Sequence, residues 1–180
     1  MDGKNDKIYS YLELNPKIAD SVFLAPGVKI IGDVKIDEFS SIWFNTVVRG
    51  DVNYIKIGKM TNVQDLSMLH VTKDTHPLII GDNVTIGHSV TLHGCILKNN
   101  CFIGMGATIL DGAVIEEDSM VAAGALVKQN FFVPKGKLVA GVPAKIIRDL
   151  NDEEINNIQA SALRYKKYSE FSSGSIKNRI

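Results

Sequence analysis

Aliphatic residues recur every six positions along most of this chain, with small and polar residues between them. Ile18, Leu24, Ile30, Ile36, Ile42 and Val48 set the period. It breaks between Val48 and Ile57, which stand nine apart, and resumes at Ile57, Val63 and Leu69. A second irregular span, 71–77, precedes Ile80, Ile86 and Leu92. One residue is dropped before Leu97, after which Ile103, Ile109, Ile115, Val121, Val127, Val133 and Val139 complete the series. Neither a helix nor an alternating strand repeats at six. Hexapeptide repeats specify a parallel β-helix, in which each aliphatic residue points inward and stacks on its equivalent in the next coil.

The same pattern divides the chain. Residues 1–17 are mostly polar and without period, and are expected to form an arm or first edge. Residues 18–145 form the β-helix, with Asn53, Asp82, Asn83, Asp111 and Asp118 suited to its corners. Pro143, which has no N–H to donate to another coil, marks the exit near 141–145. Residues 146–180 carry a helix and a tail. Asn151 with Glu154 reads as a capping box, and Ile155, Ile158, Ala162 and Tyr165 share one face of a helix predicted over about 151–170.

Composition narrows the setting. Twenty basic residues balance twenty acidic ones, so the chain lacks the positive field that nucleic acid or an anionic membrane would need. No apolar run reaches the roughly 20 residues that span a bilayer, and the first residues lack the features of a signal peptide, so the expected compartment is the cytoplasm. Cys95 and Cys101 are too few for a disulfide framework and read as buried thiols.

Three of the four histidines, His70, His88 and His93, fall close together in this frame. Neutral imidazole is a good zinc ligand, and three imidazoles with an open fourth position make the arrangement of a catalytic zinc. His70 and His93 each directly follow an inward aliphatic residue, whereas His88 stands two places after Ile86. Successive residues of a strand point to opposite sides. His88 is therefore predicted to point away from the other two, and a second subunit, brought in by a three-fold axis, would be needed to close the site.

The run Arg49-Gly50-Asp51, then Asn62-Val63-Gln64-Asp65, His70, Gly87-His88 and His93-Gly94-Cys95 resembles the γ-class carbonic anhydrase family and its bacterial carnitine and phenylacetate operon relatives, over roughly residues 8–170. The resemblance implies a left-handed β-helix, a triangular prism of about seven coils, 18 residues to a coil, with a C-terminal helix packed along it. It implies a homotrimer in which His70 and His93 of one subunit and His88 of the next bind Zn2+, or Fe2+ or Co2+. Metal-bound hydroxide would then attack CO2 to give bicarbonate. Gln64 matches a residue near the metal-bound water, Asp51 and Asn62 match pocket residues, and Tyr165 matches a tyrosine brought by the terminal helix. Arg49 and Asp65 match a pair that bridges subunits. The loop 71–77 carries no glutamate in place of the family's acidic proton shuttle, which implies weak CO2 hydration unless Asp74 or His76 serves.

Two other functions fit the repeat. Many hexapeptide proteins transfer acyl groups from coenzyme A, and residues 141–145 resemble the segment that closes such a cofactor groove. A metal-bearing trimer used only as a scaffold is the third reading.

Overall fold

The computed structural model describes Tyr11 and residues 13–175. Most of the expected N-terminal arm and the end of the tail, 176–180, lie outside the described residues. Short parallel strands pair coil upon coil into a left-handed β-helix of about seven turns. Leu69 pairs with Leu92 and Leu92 with Ile109, so each inward residue stands directly over the next. From Ile36 to Val139 every aliphatic residue of the six-residue series is buried. At the start of the stack Ile18 and Ile30 are partly buried, and Leu24, in register with Ile42, is 42% exposed because it lies on the first coil.

The prism has three faces and two sheets. Strands Lys29–Ile36 and Val47–Ile57 run through one corner without a break and so join two faces into one sheet. The third face starts at Phe23–Leu24 and ends at Lys137–Ala140, where strand Lys145–Asp149 pairs with it antiparallel. The hexapeptide count does not predict this last strand, which reverses direction after 141–144. It leads into the helix Asp152–Ser175, five residues longer than predicted at its C-terminal end.

The helix begins as its capping box dictates. The Glu154 N–H donates to Asn151 Oδ1 at 2.8 Å and the Asn151 N–H to Glu154 Oε2 at 3.0 Å. Arg148 grips the same carboxylate with both terminal nitrogens, at 2.7 and 2.8 Å, and with the Asn151 N–H holds Glu154 down to about 2. The helix then crosses the upper part of the third face, over Ser41, Asn62 and Thr85, with Ile158, Ser161, Ala162 and Ser169 turned toward it. Truncating one inward residue removes contacts with both neighbouring coils. Leu92→Ala is expected to cost about 2–5 kcal/mol, read as a lower urea midpoint with unchanged slope.

Candidate metal centre

The six-residue count fails at a single corner. Between faces one and two, successive coils step nine residues (Val48 to Ile57), eleven (Leu69 to Ile80) and five (Leu92 to Leu97) before six returns at Ile109 to Ile115. Those steps hold Arg49–Asp51, His70 with the loop 71–77, and His93–Cys95. Because Leu69 and Leu92 are partners, His70 and His93 are partners too.

Their rings meet, His70 Nδ1 to His93 Nε2 at 3.0 Å. Each ring has a carboxylate on its far side. His70 Nε2 lies 2.9 Å from Asp51 Oδ1 and His93 Nδ1 lies 2.6 Å from Asp111 Oδ1. Asp51 is held in turn by Arg49, and Asp111 accepts from the Thr72 hydroxyl at 2.8 Å. A carboxylate can only accept, so the ring protons sit on His70 Nε2 and His93 Nδ1. The two nitrogens that face each other then both present lone pairs, a contact that a cation between them satisfies. Their separation is close to the roughly 3.3 Å edge of a tetrahedron with metal–nitrogen bonds near 2.0–2.1 Å. The donor set therefore fits a divalent metal, with Asp51 and Asp111 orienting the rings from behind.

The local charges agree. Burial lowers the His70 pKa and outweighs the opposing pull of Asp51, keeping the ring neutral at neutral pH. Burial pushes the Asp51 carboxyl up, but hydrogen bonds from Arg49 and His70 and the Arg49 charge bring it below its ordinary value. Burial likewise raises Asp111, and the bonds from His93 and Thr72 overcome it. Gly94 makes this packing possible: its φ is +53°, and a Cβ there would fall 2.3 Å from Asp111 Oδ1 and 2.7 Å from His76 Cβ. His76 lies over this corner, its Nδ1 3.0 Å from Thr75 Oγ1 and its charge felt by Asp111. Asp74, with φ of 57°, turns the same loop.

His88 occupies a different corner, between faces one and three. Its Nδ1 lies 2.6 Å from Asp65 Oδ2, and Asp65 Oδ1 accepts from the Phe44 N–H at 3.1 Å. It opens into a cleft of about 660 Å3 with Trp43, Phe44, Tyr165 and Tyr168. Tyr165 is half-buried, edge-on to Trp43 at 5.6 Å, and its phenol is raised by burial, then by Asp65 and Tyr168. Gln64 and Asn62 are buried on this side. Gln64 Nε2 donates to Asn62 Oδ1 at 3.2 Å, and Asn62 Nδ2 donates to Thr85 Oγ1 at 2.9 Å.

The chain thus carries two partial sites: Arg49, Asp51, His70 and His93 at one corner, and Asn62, Gln64, Asp65, His88 and Tyr165 at another. Among the described residues no three His, Cys, Asp or Glu side chains gather into a group able to hold a metal. Arg49 and Asp65 do not meet within the chain, each having another partner. Asp111 and Thr72 are functional neighbours that sequence reasoning missed, since Asp111 reads as an ordinary corner residue. The signal was its place 18 residues after His93, one coil length.

Two family models match the repeat, bacterial transferase hexapeptide (six repeats) over residues 94–129 and hexapeptide repeat of succinyl-transferase over 77–110. The chain is 51% identical over 160 residues to gamma carbonic anhydrase 1, mitochondrial, of Arabidopsis thaliana, covering 86% of this chain and 58% of that protein. It is 48% identical over 153 residues to "Probable carbonic anhydrase" of Methanocaldococcus jannaschii, covering 85% and 96%. The chain therefore spans under two thirds of the plant relative and nearly all of the archaeal one. Among solved structures, a hexapeptide transferase family protein from Anaplasma phagocytophilum superposes with a TM-score of 0.83 at 46% identity, over 86% of this chain and 91% of that one.

The paired carboxylates give a pH dependence. Folded Asp51 and Asp111 titrate below the unfolded value of about 3.9, so their stabilisation is complete above it and is lost as the pH falls through the folded values. In chelator-treated protein, Asp111→Asn is expected to cost about 1 kcal/mol at neutral pH and to flatten the acid limb of stability, read by urea unfolding across that range. Acid limbs of equal steepness would remove Asp111 from this role.

Proposed function

Because the chain belongs to the γ-class carbonic anhydrase family of hexapeptide-repeat proteins, we propose that it is a carbonic anhydrase whose metal centre is shared between adjacent subunits of a homotrimer. One observation carries the reading. Each of His70, His88 and His93 has one ring nitrogen held by a carboxylate, which leaves the other to present a lone pair, and the three are divided between two corners of the prism. Heterologous contact around a three-fold axis brings such unlike corners together. His70 and His93 of one subunit with His88 of the next would then hold the ion, with zinc favoured by an all-imidazole set over harder cations.

Such an ion, bound by three neutral ligands, supplies activation of water at neutral pH. The protein's own residues do the rest. Asp51, Asp111 and Asp65 fix each ring's tautomer and direction. Asn62 fixes the Gln64 amide by accepting from its Nε2, which leaves Oε1 to accept a hydrogen bond from the attacking water and aim it at CO2. Arg49, anchored on Asp51, provides positive charge for the bicarbonate product. Trp43 and Tyr165 line an apolar cleft suited to an uncharged gas. The released proton has the imidazole of His76, on the loop at the His93 corner, as an acceptor.

The transferase names among the matches favour one rival, acyl transfer from coenzyme A. Saturable acetyl-coenzyme A binding that a chelator leaves unchanged, with no CO2 hydration, would select it.

Complementation tests the shared site. His70→Ala and His88→Ala are each expected to abolish stopped-flow CO2 hydration and metal retention. Co-assembled in equal amounts, they should restore about a quarter of the sites, because one corner of each variant is intact. Absence of rescue in mixed trimers would exclude a site built across subunits. Metal bound without any hydration would leave the protein a scaffold.

Asp111→Asn is expected to weaken metal binding about 10–100-fold, as loss of an outer carboxylate does, measured by competition with a chromogenic chelator.

A further inference from the structure

A second hollow, of about 400 Å3, runs down the third face from His88 beneath the helix. It has two unlike ends. Toward His88 it is lined by Gln64, Ser161, Arg164 and Tyr165, and farther down by Phe102, Met105 and Met120. Its floor is Gly87, Gly104, Ala122 and Ala123. The coils are stacked so closely that a Cβ on Gly104 would lie 2.4 Å from the Ala123 nitrogen, which holds that position to glycine and leaves only glycine and alanine on this floor.

The polar end has donors without acceptors. Gln64 donates to Asn62, Asn62 to Thr85, and Thr85 to Ser161 Oγ at 3.1 Å. Thr85 accepts from Asn62, and the Thr85 and Ser161 hydroxyls share a single hydrogen bond, which leaves one of their two protons over. Of the two, Ser161, 3% exposed, is the one that lines the hollow, so the spare proton can be turned into it. A helical serine commonly donates back to the preceding turn, as Ser173 does to the Ser169 carbonyl. Ser161 makes no such bond. Arg164 enters no ion pair among the described residues, and its charge reaches the Tyr165 phenol. Asp65, which also faces Tyr165, is already engaged by His88 and the Phe44 N–H.

A buried hydroxyl donor, a free guanidinium and a phenol at one end match a carboxylate. Two methionines and a phenylalanine over a flat floor match an aliphatic chain, since thioether side chains adapt to flexible apolar partners. We propose that this groove binds a short-chain aliphatic monocarboxylate, its carboxylate at Ser161 and Arg164 and its chain along Met105 and Met120. The placing of its mouth beside the metal rests on the proposed function, but the binding does not require the ion.

Hexanoate and its neutral isostere hexanamide are the probes, titrated calorimetrically into the full-length protein, as purified and after chelation. Hexanoate is expected to bind saturably at least about ten-fold more tightly than hexanamide, with and without metal. Arg164→Gln should abolish that preference, Ser161→Ala should weaken hexanoate more than hexanamide, and Ala122→Leu, by filling the floor, should weaken both. Gel filtration would confirm that each variant keeps its assembly. Equal binding of the two probes, no saturable hexanoate binding, or an unchanged Arg164→Gln variant would overturn the proposal. Hexanoate binding lost with the metal would also overturn it, by seating the ligand on the ion. Metal-loaded protein that binds hexanoate yet never hydrates CO2 would sink the enzymatic reading and leave this one standing.

Discussion

Coil-to-coil register is the constraint from which the rest of the molecule follows. Each coil hydrogen-bonds its backbone to the next, and each inward aliphatic residue rests on an equivalent one, so the path of the chain is fixed at every repeat. Outward residues gain their neighbours by inheritance. His70 meets His93 because Leu69 lies on Leu92, and His93 meets Asp111 because the second face, where Leu97 lies on Ile115, is offset by the same 18 residues. A site assembled this way needs no flexible loop to position its ligands. Its precision is that of the core beneath it.

The same register keeps His88 apart from His70 and His93 within one chain. His88 belongs to a turn between faces one and three, and its phase sends it to another edge of the triangle. Placing the third imidazole with the other two would require moving a residue by a third of a coil, which the inward stack forbids. The homotrimer proposed above would supply the missing imidazole from a neighbour and leave the apolar cleft at His88 beside the shared centre. Three carboxylate–imidazole pairs, made separately, leave each ring set in tautomer before any partner arrives.

Much of the architecture was legible in the chain because it repeats. The period of Ile, Leu and Val gave the β-helix, and Asn151 with Glu154 gave the start of the helix through a bond pattern that the structure reproduces. The phase of the histidines gave two directions for three rings. Asp111 was not legible as part of the site, because a corner aspartate has ordinary turn chemistry to explain it and its link to His93 spans a full coil. The strand Lys145–Asp149 was hidden for a different reason: it pairs antiparallel, outside the repeat that made everything else readable. The interruptions at 48–57, 69–80 and 92–97 were visible as faults in the count. Their meaning depended on stacking, which puts all three at one corner, where regularity gives way to the residues that hold the candidate centre.

The loop 71–77 leaves the prism and returns to it with the stack intact, since Ile57 still lies against Ile80 and Leu69 against Leu92 on its two sides. Its length is therefore uncoupled from the fold. A shorter, longer or differently charged insert beyond Val71, in the core, and Thr72, on Asp111, changes what overhangs the metal-facing corner, and the coils above and below keep their partners. Divergence among proteins built on this scaffold can act on that overhang like an interchangeable fitting, altering what reaches the centre while the spiral that carries it stays as it was.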